Sequence, residues 1–157
     1  MEDEYMTIET ALISDLEEIL ALQKLAYISE AEIYNDYNIS PLLQTLEDVK
    51  KEYTDKTFLK AVESGKIVGS VRANAQDGTC YIGKLIVHPD YRNRGIGTRL
   101  MKEIEARFDN CMRYELFTGE KSEKNIYLYK KLGFKIYKEE KVTDDLSFVY
   151  LEKLSGK

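Results

Sequence analysis

Histidine occurs once in this chain of 157 residues, as His88, and cysteine twice, as Cys80 and Cys111. Without C-x-x-C spacing or a histidine cluster these residues cannot assemble a zinc site unless carboxylates take most positions, so no metal is expected and both thiols read as core residues. Positive charge is also in short supply: 23 Lys and Arg against 28 Asp and Glu leave a net charge of -5 and a pI near 5.1. That balance argues against nucleic acid as a partner and favours cationic ligands, amines included. No apolar run approaches membrane-spanning length, and Met1-Glu2-Asp3-Glu4 offers neither a basic n-region nor an apolar h-region, so the expected setting is a reducing cytoplasm with no membrane partner. Repeats, low-complexity tracts and Pro/Gly-rich linkers are absent too. Residues 1–157 therefore read as a single domain, long enough to bury a core without disulfides or metals.

What is present is a change of period along the chain. Residues 5–11 read as a strand, and Ser14-Asp15-Leu16-Glu17 has the spacing of a capping box opening a helix with Leu16, Ile19, Leu20 and Tyr27 on its inner face. Residues 29–39, carrying Glu30, Glu32, Tyr34, Asn35, Tyr37 and Asn38 without a clear period, read as a loop. A second helix is expected from Ser40 as N-cap and Pro41 at the first helical position, with Leu42, Leu46, Val49 and Tyr53 as its apolar stripe. Then the period becomes two. Residues 57–63, 66–75 and 79–87 read as three strands of an antiparallel meander, joined by Ser64-Gly65 and Gln76-Asp77-Gly78. A helix over residues 95–108 follows, with Ile96, Leu100, Ile104 and Phe108 four apart. Residues 114–118 read as a strand, 122–132 as a helix, and 135–141 with 146–151 as a closing strand pair. A helix between two strands implies a right-handed crossover, so the sheet is expected to be mixed.

The segment Val87-His88-Pro89-Asp90-Tyr91-Arg92-Asn93-Arg94-Gly95-Ile96-Gly97-Thr98 is a strand end, a turn and the first turn of a helix. Unpaired N–H groups and the positive end of the helix dipole make such a start an anion site. Gly95 and Gly97 remove side chains where a phosphate would press on the backbone, and Arg92 and Arg94 add charge at the rim. A Walker A loop requires Gly-Lys before Ser or Thr, which Thr98-Arg99 does not supply. A Rossmann fingerprint requires a third glycine where Leu100 stands, and a meander is the wrong prelude to it. His88, at a strand end beside a turn, reads as a turn residue.

What remains, R-x-x-G-x-G after an apolar strand end and His-Pro, resembles the GNAT acyltransferase superfamily. So does Asn125-Ile126-Tyr127-Leu128-Tyr129-Lys130-Lys131-Leu132-Gly133-Phe134 downstream, where Gly133 suits a helix C-terminal cap. The resemblance covers nearly the whole chain and implies an α/β (α+β) fold. Its mixed, mostly antiparallel sheet would be flanked by helices, and a splayed parallel strand pair would form a coenzyme A cleft. It implies acetyl-CoA as co-substrate, backbone pairing of Leu85, Ile86 and Val87 with the pantetheine arm, and pyrophosphate on the N–H groups from Asn93 through Gly95, Ile96 and Gly97 to Thr98, with Arg92 and Arg94 beside them. Tyr129 matches the family's general acid, although packing alone also explains a tyrosine there, and it would also contact the cofactor. Where many members carry asparagine seven residues before that tyrosine, this chain has Ser122; Asn125 stands four before it, and either is a pantetheine contact on this resemblance.

The implied activity is N-acetyl transfer to a primary amine of a small molecule or peptide, by direct attack in a ternary complex. The Val87 N–H would polarise the thioester carbonyl and Tyr129 would assist the departing sulfur. Glu30, Tyr34, Tyr37 and Glu115 are the candidates on the acceptor side. For the base, Glu30, Glu32, Glu115 and a water chain all stay open. The rival readings are a noncatalytic acyl-CoA-binding sensor and an interaction protein with a relic cleft. Homodimers are common in such folds.

Overall fold

The computed structural model describes residues 6–156; Tyr5, the expected first residue of the opening strand, lies outside them, as do residues 1–4. Seven strands form one sheet in the order β1-β2-β3-β4-β5-β7-β6. They are β1 (Met6–Thr10), β2 (Thr57–Glu63), β3 (Lys66–Gln76), β4 (Thr79–Val87), β5 (Arg113–Gly119), β6 (Lys135–Lys141) and β7 (Ser147–Leu154). Six helices, α1 (Leu16–Ala26), α2 (Ile28–Tyr34), α3 (Ser40–Leu43), α4 (Leu46–Asp55), α5 (Ile96–Arg107) and α6 (Glu123–Lys131), flank it.

The meander runs where the turn chemistry places it. Ser64 and Gly65 (φ 51° and 75°) join β2 to β3, and Asp77 and Gly78 (φ 52° and 82°) join β3 to β4, the double left-handed geometry that matches the twist of a hairpin. Every neighbouring pair is antiparallel except β4 with β5. Those two run parallel and pair only at Thr79, Cys80 and Tyr81 with Arg113, Tyr114 and Glu115. Beyond that seam they diverge.

Each face of the sheet has its own apolar layer. On one face, Leu16, Ile19, Leu20 and Val49 of α1 and α4 cover Phe58, Ile67 and Ile86. On the other, Ile96, Leu100, Met101 and Ile104 of α5 and Tyr129 of α6 cover Val68, Val71, Ile82, Leu116 and Leu151. Gly69 is required beneath α5, because a methyl there would come within 3.0 Å of Leu100 and 3.1 Å of the Ile86 carbonyl oxygen. On the first face only the β1–β4 half of the sheet is covered. The β5–β7–β6 half carries exposed rings.

Three local expectations are corrected. The Ser14–Glu17 capping box does not form; a 3-10 turn (Ile13–Asp15) precedes α1, and the Asp15 carboxylate accepts the Leu12 N–H at 2.7 Å. The helix expected from Ser40 is two helices, because Gln44 turns extended and Thr45 starts α4 afresh. Thr45 Oγ1 accepts the Asp48 N–H at 3.2 Å while Asp48 accepts the Thr45 N–H at 2.9 Å, a reciprocal cap stronger than continuity. Finally, residues 28–34 are helical instead of looped, since Ala31 and Tyr34, three apart, are both buried; only 35–39 remain a loop.

Candidate active site

The divergence of β4 and β5 opens a slot through the sheet. Ile82, Gly83, Lys84 and Leu85 line it from β4, Leu116, Phe117 and Thr118 from β5, Tyr27 from the α1–α2 junction, and Tyr129 from α6. A bulge shapes the β4 wall: β3 residues Ser70 and Arg72 face Ile86 and Gly83, so β4 spends one extra residue there. Lys84 takes the left-handed conformation (φ 48°) within it. Beyond the bulge, His88 N–H donates to the Val68 carbonyl at 2.8 Å. Antiparallel pairs alternate, so the Val87–Gly69 pair is a non-hydrogen-bonded one, and the Val87 N–H and C=O face away from β3 toward the slot.

Tyr129 is buried. Burial, then Tyr27 and Glu30, push its pKa well above the usual tyrosine value. Tyr27 is pushed up to about 12, by burial and then by Glu30, against a smaller opposing pull from Arg72. Both phenols therefore keep their protons at neutral pH.

The segment after β4 forms the helix start that its residues predict. His88 is a turn residue, its Nδ1 accepting the Asp90 N–H at 3.1 Å. Gly95 caps α5 in the left-handed region (φ 80°), a conformational need of its own. Gly97 is different: a methyl there would touch Leu85, Val87 and Leu128 only at ordinary distances of 3.6 to 3.9 Å. The fold has room for alanine at 97. Asn93 is left-handed (φ 64°); Ile96 and Ile86 are buried in the two core layers, so their side chains serve packing and only their backbones are near the site. Thr98 is half-buried in the first turn of α5.

The arginines are more committed than the sequence suggests. Arg94 pairs with Glu63 at 2.8 Å and lies over the Tyr91 ring at 5.1 Å. Arg92 Nη2 donates to the Ala26 carbonyl at 3.1 Å and to Ser29 Oγ at 3.4 Å, tying the end of β4 to the α1–α2 junction.

From that junction α2 crosses to the end of β5. Glu30 accepts the Ser122 hydroxyl and, at 3.2 Å, the Asn125 amide, which also reaches Thr118 Oγ1 at 3.4 Å. Ser122 makes no side-chain cap; its buried hydroxyl serves Glu30 instead. Tyr34 accepts the Lys121 N–H at 2.8 Å. Of the acceptor-side candidates, Glu30 and Tyr34 thus meet at the slot's end. Glu115 sits farther down β5, held by Arg113 at 2.8 Å and the Tyr137 hydroxyl at 2.6 Å, and exposed Tyr37 and Glu32 are not drawn into the slot. Sequence reading missed Tyr27 as a wall of the slot, and Phe117, an apolar residue at an outward position of an alternating strand, was the signal available for the other wall.

A model of the acetyltransferase (GNAT) family matches residues 16–134. UPF0157 protein YqkA of Bacillus subtilis is 30% identical over 117 residues, which are 74% of this chain and 34% of that protein; the chain spans about a third of that relative's length. Among solved structures, the PaiA N-acetyltransferase of Thermoplasma acidophilum in complex with coenzyme A superposes with a TM-score of 0.71 at 20% identity, over 95% of this chain and 98% of that one. The ribosomal-protein-S18-alanine N-acetyltransferase of Escherichia coli superposes with a TM-score of 0.81 at 15% identity, over 97% and 95%. The chain belongs to the GNAT family of acetyl-coenzyme A-dependent acyltransferases. The mixed sheet with one splayed parallel pair is that family's fold, and the slot and the outward amide of Val87 fit the cofactor. Among the described residues no helix is long and apolar enough to cross a membrane, and no group of three His, Cys, Asp or Glu side chains is placed to hold a metal.

Proposed function

We propose that this protein transfers an acetyl group from acetyl-CoA to a primary amine by direct attack in a ternary complex. The observation that carries this reading is a buried Tyr129 on the wall of the slot where β4 and β5 part, on the side to which the Val87 N–H turns away from β3. Bound acetyl-CoA supplies the acyl group as a thioester. The backbone N–H groups from Asn93 to Thr98 hold its pyrophosphate, and Leu85 and Val87 pair with the pantetheine arm. The Val87 N–H polarises the thioester carbonyl. The acceptor ammonium first loses one proton, the nitrogen forms the C–N bond as the C–S bond breaks, and the nitrogen gives up its second proton. Sulfur leaves as thiol, so one proton is released to solvent per turnover.

Free tyrosine (pKa about 10) is a weaker acid than a thiol (about 8.5), and burial weakens Tyr129 further. It acts by donating a hydrogen bond to the sulfur as charge develops there, and stays a donor across the neutral range. Glu30, whose charge acts on both Tyr27 and Tyr129, is the carboxylate best placed to accept the amine's proton, directly or through water. Tyr129→Phe is expected to lower kcat by about 10-fold or more with coenzyme A affinity nearly intact. An unchanged kcat at saturating acceptor would remove this role from Tyr129.

A further inference from the structure

Among the described residues that line the slot, Lys84 alone carries an amine. It stands in the β4 bulge with a left-handed backbone (φ 48°), three residues before Val87 on the same wall. Gly83 beside it leaves open space, since a methyl there would meet nothing within 4 Å beyond its chain neighbours. The counter-ion of Lys84 is shared. Glu52 pairs with Arg72 and with Lys56, each at 3.1 Å, and accepts the Gln44 amide as well, while Lys84 Nζ stands off at 3.9 Å with its side chain 24% exposed. Three cations around one carboxylate leave an excess of positive charge in a half-buried place. Arginine keeps its proton and Lys56 holds the carboxylate closely, so Lys84 is the member that can shed charge. Burial holds its pKa below the ordinary lysine value; Glu52 opposes the fall, and Arg72 and Lys56 add to it.

Resting on the acetyltransferase reading above, we propose that Lys84 is a self-acetylation site: when no acceptor occupies the slot, its amine takes the acetyl group of the acetyl-CoA bound there. The ammonium first loses one proton to solvent through its exposed part. Nζ then forms the C–N bond with the thioester carbon as the C–S bond breaks, and the nitrogen gives up its second proton. Sulfur leaves as thiol, so one proton is released per chain modified and nothing is oxidised or reduced. Position drives the step, because an amine held on the wall of the slot replaces an encounter in solution. The open space at Gly83 lets the flexible stem turn from Glu52 toward the thioester, and Glu52 keeps Arg72 and Lys56 when it does. The product carries no charge and cannot rejoin the carboxylate. An acetamide then stands in the slot itself, a brake set when acetyl-CoA is present and an acceptor is not.

The test incubates the full chain with acetyl-CoA and no added amine, and maps acetylated peptides by mass spectrometry over time. Lys84 is expected to be acetylated at least about 10-fold faster than the exposed Lys141, at a rate per chain that does not change on dilution of the protein. Excess coenzyme A is expected to suppress the label at Lys84 and leave that at Lys141 unchanged. Thiol release without acceptor is expected to stop at one equivalent per chain and to disappear in Lys84→Arg; the wild-type map needs no substitution, so a variant that folds poorly does not protect the idea. Calorimetric titration with coenzyme A is run beside it. Coenzyme A binding with Lys84 unmodified, or modified no faster than Lys141, would overturn this inference alone. So would a rate per chain that falls on dilution, which belongs to transfer between molecules. Failure of coenzyme A to bind would remove the acetyltransferase reading along with it.

Discussion

The Tyr34 hydroxyl accepts the Lys121 N–H at 2.8 Å, and a methyl added at Gly119 would lie 2.2 Å from that same oxygen. The ring of an α2 residue thus occupies the volume that a side chain at the end of β5 would need. Gly119→Ala is expected to cost about 1–3 kcal/mol, as overpacking does when the crowding group is itself buried and bonded. Urea denaturation measures it. In a Tyr34→Ala background the same substitution is expected to cost much less, and equal costs in both backgrounds would show that the ring is not the obstacle.

Gly97 separates fold from ligand. Alanine there meets only Leu85, Val87 and Leu128, at 3.6 Å or more, and glycine within a helix costs about 0.5–1 kcal/mol relative to alanine. Gly97→Ala is expected to leave stability equal or raised. Its Kd for coenzyme A is expected to rise by about 10-fold, which is about 1.4 kcal/mol. Denaturation and calorimetric titration on the same preparation check both.

Arg72, 1% exposed, donates to Gln23 Oε1 at 2.7 Å and pairs with Glu52 at 3.1 Å, with its guanidinium 4.4 Å from the Phe58 ring centroid. Glu52→Gln would strand that buried charge and is expected to cost about 3–5 kcal/mol, more than Arg72→Met, which removes the charge itself. Burial alone pushes the Glu52 carboxyl up, but Arg72 and Lys84, with hydrogen bonds from Lys56 and Gln44, outweigh it and hold it below its ordinary value. A carboxylate lowered on folding contributes stability above its unfolded pKa, about 4.3, and that contribution disappears as pH falls through the lower folded value. The stability gap between wild type and Glu52→Gln is therefore expected to be full at neutral pH and to shrink below about pH 4.

Cys80 and Cys111 are buried, and burial, followed by Cys111 and Glu105, pushes the Cys80 thiol up to about 12. Neither thiol is expected to react with an aromatic disulfide reagent at neutral pH until the protein unfolds. Two equivalents released promptly from native protein would contradict the packing around β4.

Much of this fold was legible because its determinants are local. The meander from Thr57 to Val87 follows alternation and two turn dipeptides, and those bounds agree with the structure to within a residue. The local structure of residues 87–98 was legible for the same reason: strand end, His-Pro turn and glycine-rich helix start are contiguous. The break between α3 and α4 was not, since Leu42 and Leu46 keep helical spacing across it and only the Thr45–Asp48 cap decides against continuity. Pairings across long separations were hidden altogether. Nothing in the segment around Glu30 announces Ser122, 92 positions away, and nothing beside Arg94 announces Glu63, 31 positions away. Tyr27 illustrates the limit: its place on the inner face of a helix was readable, but its role as a wall depends on where β4 and β5 part.

The seam between those strands has a mechanical meaning. Only three residue pairs join the four-stranded and three-stranded portions of the sheet, so between them the backbone ladder is short and the rest of the connection is side-chain packing and the α2 bridge. An extended molecule lying in the slot would add rungs to both portions at once. Coenzyme A would then act as a splint, and hydrogen exchange of the β5 and β7 amides would slow together on binding, as expected when a ligand couples two units that otherwise open separately.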